Sequence, residues 1–133
     1  MIAIDTSAIM AILLNEADAD ACVEVIETES EILISSGTLA ETLIVAGRRN
    51  LATEAAMLLD GLGLEVVPVT AASARRIEDV YARWGKGVHR AGLNFGDCFA
   101  YELAEDRACP LLFVGVDFSH TDIIDARSTP NAG

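Results

Sequence analysis

Met1-Ile2-Ala3-Ile4-Asp5-Thr6-Ser7-Ala8-Ile9 opens the chain, and the fold turns on how it is read. The apolar run before Asp5 is long enough for a short buried strand. Asp5 ends it abruptly. Thr6 or Ser7 then stands as the N-cap of a helix expected to reach about Leu14, with Ala8, Ile9, Ile12 and Leu13 on or near one face. A strand that stops at a carboxylate and passes directly into a helix is a unit of an α/β protein.

The same unit recurs along the chain. Residues 17–29 form a helix in which Cys22, Val23 and Ile26 make an apolar stripe among acids, and residues 31–35 form a second strand. Gly37 is expected to break that strand, with Thr38 capping a helix that carries Glu41 and ends near residues 48–50. Residues 51–60 read as a helix stopped by Gly61-Leu62-Gly63, and residues 64–69 as a third strand whose Pro68 marks its end or a sheet edge. A helix over 71–84, a glycine-rich loop over 85–94, a helix opened by Phe95 or Gly96, and a strand over 111–114 follow. A turn through 121–123 closes the fold. Short apolar runs separated by helices give β-α-α repeats, hence an α/β fold with a mostly parallel sheet of four or five short strands covered on both faces. Residues 1–127 are one domain, and 128–133 are expected to be a flexible tail.

Four carboxylates interrupt or end segments that otherwise read as core: Asp5, Glu41, Asp97 and Asp117. Asp117 follows the apolar run from Leu111 to Val116, and Glu41 sits among apolar or small neighbours. Burying a lone carboxylate costs several kcal/mol or neutralises the group. Each acid alone has an ordinary explanation, as a helix cap (Asp5), a helix-dipole partner (Asp97) or a turn residue (Asp117). Together they need a common one. In sheets of this kind ligands bind beyond the carboxyl ends of the strands, where Asp5 and Asp117 both lie. An all-carboxylate set suits a hard divalent cation, Mg²⁺ or Mn²⁺. Close carboxylate pairs repel by about 4 kcal/mol at an effective dielectric near 20, so a cation would allow all of them to ionise. Such a centre fits phosphodiester hydrolysis, with Asp97 or Glu41 orienting the water.

Composition narrows the rest. The chain has 133 residues, 52% of them hydrophobic, and a formal charge of −12; its mean hydropathy is +0.37. No apolar stretch approaches the roughly 18 residues of a membrane span. The opening run lacks a basic leader, so a cytoplasmic location without membrane association is expected. Cys22, Cys98 and Cys109 form no metal or disulfide pattern and read as reduced core thiols. The acidic balance argues against general electrostatic binding of nucleic acid. Residues 71–94, however, hold five basic groups against two acidic ones. Within them Arg83, Trp84, Lys86 and Arg90 interleave an aromatic with cations, the mix that holds single-stranded nucleic acid. His89 and His120 lack a nucleophile partner and read as surface or structural.

The segments Ile4-Asp5-Thr6-Ser7-Ala8, the helix with Glu41, Leu93-Asn94-Phe95-Gly96-Asp97-Cys98, and Leu112-Phe113-Val114-Gly115-Val116-Asp117-Phe118 with Thr121-Asp122-Ile123 resemble PIN-domain ribonucleases, and more narrowly VapC-type toxins. The likeness covers residues 1–125. It implies a PIN-like three-layer α/β/α sandwich acting as a Mg²⁺- or Mn²⁺-dependent endoribonuclease, the toxin of a type II toxin–antitoxin pair. Asp5, Glu41, Asp97 and Asp117 fall on the family's acids, Ser7 on a supporting hydroxyl beside Thr6, and Asp122 on a further acid near the metal. The implied partners are a cognate antitoxin, an RNA substrate, and a second copy in a homodimer or toxin–antitoxin hetero-oligomer. An amphipathic antitoxin helix would use the apolar helices over 12–26 and 43–59.

One departure supports an alternative. Val116 stands where relatives often carry Asp or Asn, which would suit a catalytically impaired PIN-like module acting through antitoxin or RNA binding. A receiver domain is disfavoured because Lys86, its sole lysine, lies in the glycine-rich loop. A phosphatase Asp-x-Asp opening is excluded by Ser7.

Overall fold

The computed structural model describes residues 1–128; beyond Ser128 the expected tail lies outside the described residues. The chain runs β1 (Ile2–Ile4), α1 (Thr6–Leu13), α2 (Ala19–Thr28), β2 (Ile32–Ser35), α3 (Ser36–Arg48), α4 (Ala52–Gly61), β3 (Glu65–Val67), α5 (Ala71–Trp84), α6 (Phe95–Asp106) and β4 (Leu111–Leu112), then a 3₁₀ turn, Asp117–His120. The described sheet has four strands in the order β3-β2-β1-β4, and every pairing is parallel.

Strand parity divides the core. Ile2, Ile4, Ile32, Ile34 and Leu112 pack with Ile9 and Cys22, the side covered by α1 and α2. Ala3, Leu33 and Leu111 pack with Ile77, Val80, Tyr101 and Leu103 of α5 and α6. Successive residues of a strand face opposite ways, so the central strands need apolar residues at every position. That explains the unbroken apolar runs. The exposed β3 is at the edge, with Pro68 immediately after it, as its missing N–H requires.

The elements begin one to three residues away from several expected starts because other side chains take the caps. Asp5, which the sequence offers as a cap alongside Thr6 and Ser7, caps α1. Ser35 caps α3, so Gly37 lies in that helix's first turn instead of ending β2. A Cβ on Gly37 would stand 2.3 Å from the Phe99 ring, so this glycine exists for the close approach of α3 to α6. Cys22, Cys98 and Cys109 are free and buried.

The chain leaves β1 toward β2 and β3, then returns to lay β4 on the other side of β1. The strand order therefore reverses between β1 and β4, and a crevice opens there at their carboxyl ends. Asp5 and Asp117 follow those two strands.

Candidate active site

Asp5 donates its backbone N–H to the Leu112 carbonyl at 3.0 Å, which stitches the end of β1 to β4. Its Oδ2 accepts from the Ser7 N–H at 3.0 Å and the Ser7 hydroxyl at 2.6 Å. Ser7 Oγ in turn accepts from the Val114 N–H at 3.0 Å, so one hydroxyl ties the first acid to the loop that leads to Asp117. Asp5 is only 4% exposed. Its Oδ1 is buried with no hydrogen-bond partner. Burial pushes its carboxyl up to about 6, opposed by the Ser7 hydrogen bonds and reinforced by the charge of Glu41.

Glu41 projects from the second turn of α3. Its Oε1 accepts the Thr6 hydroxyl at 2.7 Å. Thr6 Oγ1 also lies 2.9 Å from Thr42 Oγ1, and Thr42 reaches back to the Thr38 carbonyl at 2.9 Å. A short hydroxyl chain, buried except at its carboxylate end, thus orients this acid. Its Oε2 faces Gly96, where a Cβ would come within 1.9 Å. Only glycine at the start of α6 leaves room for Glu41 in this place.

Asp97 occupies the third position of α6. Its backbone N–H donates to Asn94 Oδ1 at 2.8 Å, and its Oδ2 accepts the Asn94 N–H at 3.0 Å, a reciprocal capping pair. Burial pushes its carboxyl up to about 7; the Asn94 N–H opposes that, and the charges of Asp5, Asp117 and Glu41 add to it. The four expected acids therefore act on one another. Asp117 is exposed at the mouth, on the 3₁₀ turn. Asp97 and Asp5 fill cap roles, and each also feels the charge of fellow acids.

Other expected residues are placed differently. Asp122 accepts from the Tyr101 phenol and lies with Ala108, Cys109 and Ile124. The Ile124 carbonyl takes the N–H of Leu111, the first residue of β4; Asp122 thus lies beside the entry of that strand, whereas Asp117 lies past its exit. Arg83 is committed to Asp79 at 3.0 Å and Glu105 at 2.9 Å. Trp84 is half-buried and donates to Tyr101 Oη at 3.1 Å, with His89 against its ring. Lys86 and Arg90 are exposed and make none of the described ion pairs. Val116 is exposed, beside Asp117.

Sequence reasoning gave no role here to Asn94, Gly96, Thr42, Tyr101 or Phe95, although Asn94, Phe95 and Gly96 lie in the segment that carries the family resemblance. Two of them carried a signal: Asn94-x-x-Asp97 is a capping-box spacing, and glycine is a poor residue for a helix's first turns unless something must come close.

A carboxylate-only set with a buried, unpartnered oxygen fits a hard cation such as Mg²⁺ or Mn²⁺. Among the described residues, no three His, Cys, Asp or Glu side chains are grouped tightly enough to grip a metal ion as they stand.

Comparison with known proteins bears on the family and the fold. Residues 2–124 match the PIN domain family. Ribonuclease VapC30 of Mycobacterium tuberculosis is 42% identical over 123 residues, 90% of this chain and 94% of its own. Ribonuclease VapC of Mycolicibacterium smegmatis is 40% identical over 123 residues, 90% of this chain and 95% of its own. Among solved structures, M. tuberculosis VapC20, described as a Sarcin-Ricin loop cleaving toxin, superposes with a TM-score of 0.76 at 18% identity, over 94% of this chain and 98% of that one. VapBC2 from Rickettsia felis, bound to a DNA fragment from its promoter, gives 0.69 at 18% identity, covering 94% and 96%. The chain belongs to the PIN-domain family and, within it, to the VapC ribonucleases.

Proposed function

We propose that this protein is the toxin of a toxin–antitoxin pair, an endoribonuclease that hydrolyses RNA phosphodiester bonds with Mg²⁺ or Mn²⁺ held by Asp5, Glu41, Asp97 and Asp117. The observation that carries the metal reading is Asp5 Oδ1, buried and unpartnered among charges of its own sign. A bound cation would supply Lewis-acid polarisation of the phosphodiester and a lower pKa for the attacking water. The chain supplies the orientation. Ser7 holds the Asp5 carboxylate through Oδ2, leaving Oδ1 for the ligand, and Thr6 holds Glu41 through Oε1, leaving Oε2 at the pocket. In hydrolysis the water oxygen bonds to phosphorus, the P–O bond to the leaving oxygen breaks, Glu41 or Asp97 receives the water's proton, and the leaving oxygen takes up a proton from solvent. Asp122, held by Tyr101, is left out of this ligand set.

The curated relatives' designation as ribonucleases favours turnover over the impaired-module alternative. No helix among the described residues is long and apolar enough to cross a membrane. For the antitoxin, an amphipathic helix fits the groove of about 400 Å³ lined by Leu39, Leu43, Leu59, Leu64 and Val66. The exposed Ile44 and Met57 extend that surface toward a second copy.

The test is cleavage of total cellular RNA by the antitoxin-free protein with Mg²⁺, Mn²⁺ or EDTA, beside Asp97→Asn. Discrete fragments that need the metal and vanish in the variant are the expected result. Folded wild-type protein that leaves RNA intact with both metals would overturn the reading.

A further inference from the structure

Phe95 is 72% exposed, the most exposed of the large hydrophobic residues. Such a residue carries a solvent cost unless something covers it. Its position is specific. It opens α6, is followed directly by Gly96 against Glu41 Oε2, and is two residues from Asp97. Its ring is backed edge-on by Phe99, with centroids 4.9 Å apart and planes at 83°. Phe99 is itself pressed against Gly37. The exposed ring is therefore a braced platform at the rim of the acidic site.

Beside it lies a cavity of about 320 Å³ between α5 and α6, with Phe95 and Tyr81 in its walls, Ala74, Ile77 and Cys98 as apolar lining, and Glu78 as its one charged group. The Tyr81 phenol donates to the Lys86 carbonyl at 3.3 Å, so the loop bearing Lys86 and Arg90, which make none of the described ion pairs, adjoins the same opening. Aromatic faces, an acceptor for a base edge and exposed cations for the backbone are the components of an unstacked-base site.

We propose that this cavity is a nucleobase subsite. An unpaired base next to the scissile phosphate stacks on Phe95, with Tyr81 as the second wall, while Lys86 and Arg90 contact flanking phosphates. The occupant is chosen by continuity with the acidic site: Phe95 precedes Gly96, which lies against Glu41 Oε2, and is two residues from Asp97, so a chain with its phosphate at those acids would have a base neighbouring Phe95. The proposal rests on the ribonuclease reading for its substrate. It also reassigns the nucleic-acid surface, because Arg83 and Trp84 are consumed by Glu105 and Tyr101.

The experiment uses the full chain and single-stranded oligoribonucleotides spanning the cleavage site, with 2-aminopurine or an abasic residue at successive positions. Phe95→Ala should lower kcat/KM about ten-fold or more, and Phe95→Tyr should restore it. In the non-cleaving Asp97→Asn background, 2-aminopurine should be quenched at one position next to the cut, and Phe95→Ala should abolish that quench. An abasic residue there should slow the wild type and add nothing to Phe95→Ala. Wild-type cleavage that Phe95→Ala leaves unchanged would overturn the subsite while leaving the nuclease intact. A Phe95-dependent quench without cleavage by the wild type would support the subsite and overturn the nuclease. A change in oligomeric state on Phe95→Ala, with no loss of quench, would assign the ring to a contact between copies and overturn the proposal.

Discussion

At the scale of single residues, the site depends on what is left out of one helix. Gly96 carries no Cβ, and the space goes to Glu41 Oε2 at 1.9 Å from where that carbon would stand. Gly96→Ala should therefore evict Glu41 while suiting α6 better, since alanine is favoured over glycine in a helix by about 0.5–1 kcal/mol. The expected result is a split: RNA cleavage lower by roughly a hundred-fold for a displaced catalytic group, with a melting temperature equal to or above that of the wild type. A melting temperature that falls together with the rate would show a packing defect and remove the claim. Ser7 works in the opposite way, by adding an atom. Its hydroxyl both donates to Asp5 and accepts from Val114, so it orients the acid while leaving Oδ1 free.

At the scale of elements, the segment after β4 is held to the α5/α6 layer by a polar knot. Tyr101 is fully buried and receives the Trp84 indole N–H at 3.1 Å while its own phenol engages Asp122. Burial, with the carboxylate beside it, pushes the Tyr101 phenol well above its ordinary value, so it remains a donor at any working pH. Tyr101→Phe strands the indole N–H and releases Asp122, at a cost of about 1–3 kcal/mol. Asp122→Asn keeps an acceptor and should cost less. If Asp122 were instead a metal ligand, Asp122→Asn would weaken Mg²⁺ or Mn²⁺ binding and leave the melting temperature of the metal-free protein unaffected. Thermal melts with and without metal separate the two. The strands and helices themselves followed from periodicity. Their starts did not, because Asp5-Thr6-Ser7 and Ser35-Ser36-Gly37-Thr38 each offer several cap-competent residues.

At the scale of the whole molecule, the acidic crevice sets how stability depends on pH and metal. Asp5 and Asp97 hold protons up to about 6 and about 7 in the folded chain, against about 4 when unfolded. Both values are raised, so unfolding releases protons between them, and the stability of the metal-free protein falls as pH rises from about 4 to about 7, then levels off. Asp97→Asn keeps the acceptor for Asn94 and deletes the charge. In EDTA at pH 8 it should be more stable than wild type by on the order of 1–3 kcal/mol, with the gap closing near pH 4. Excess Mg²⁺ or Mn²⁺ should raise the wild-type melting temperature by mass action and the variant's little. Melting curves over pH 4–8, with and without metal, check this. A variant that melts below wild type in EDTA would reduce Asp97 to a helix cap.

What the sequence determined by itself is local. Apolar runs of strand length, amphipathic helices between them and glycine or proline at the joints define the β-α-α units, because burial and backbone chemistry act over a few residues at a time. Asp5, Glu41, Asp97 and Asp117 could be grouped from the sequence because a charge amid apolar neighbours calls for a compensating partner, although Asp117 is exposed in the fold. The tertiary structure decided everything that depends on contacts between distant segments. The strand order puts Asp5 beside the strand that leads to Asp117. The approach of α3 to α6 sets Glu41 against Gly96. The fold withdraws Asp122, Arg83 and Trp84 into a knot around Tyr101, and leaves Phe95 bare at the rim. None of these is encoded in periodicity or composition. Each arises from how close two elements come, and that distance is fixed by side-chain volume packed across the whole core.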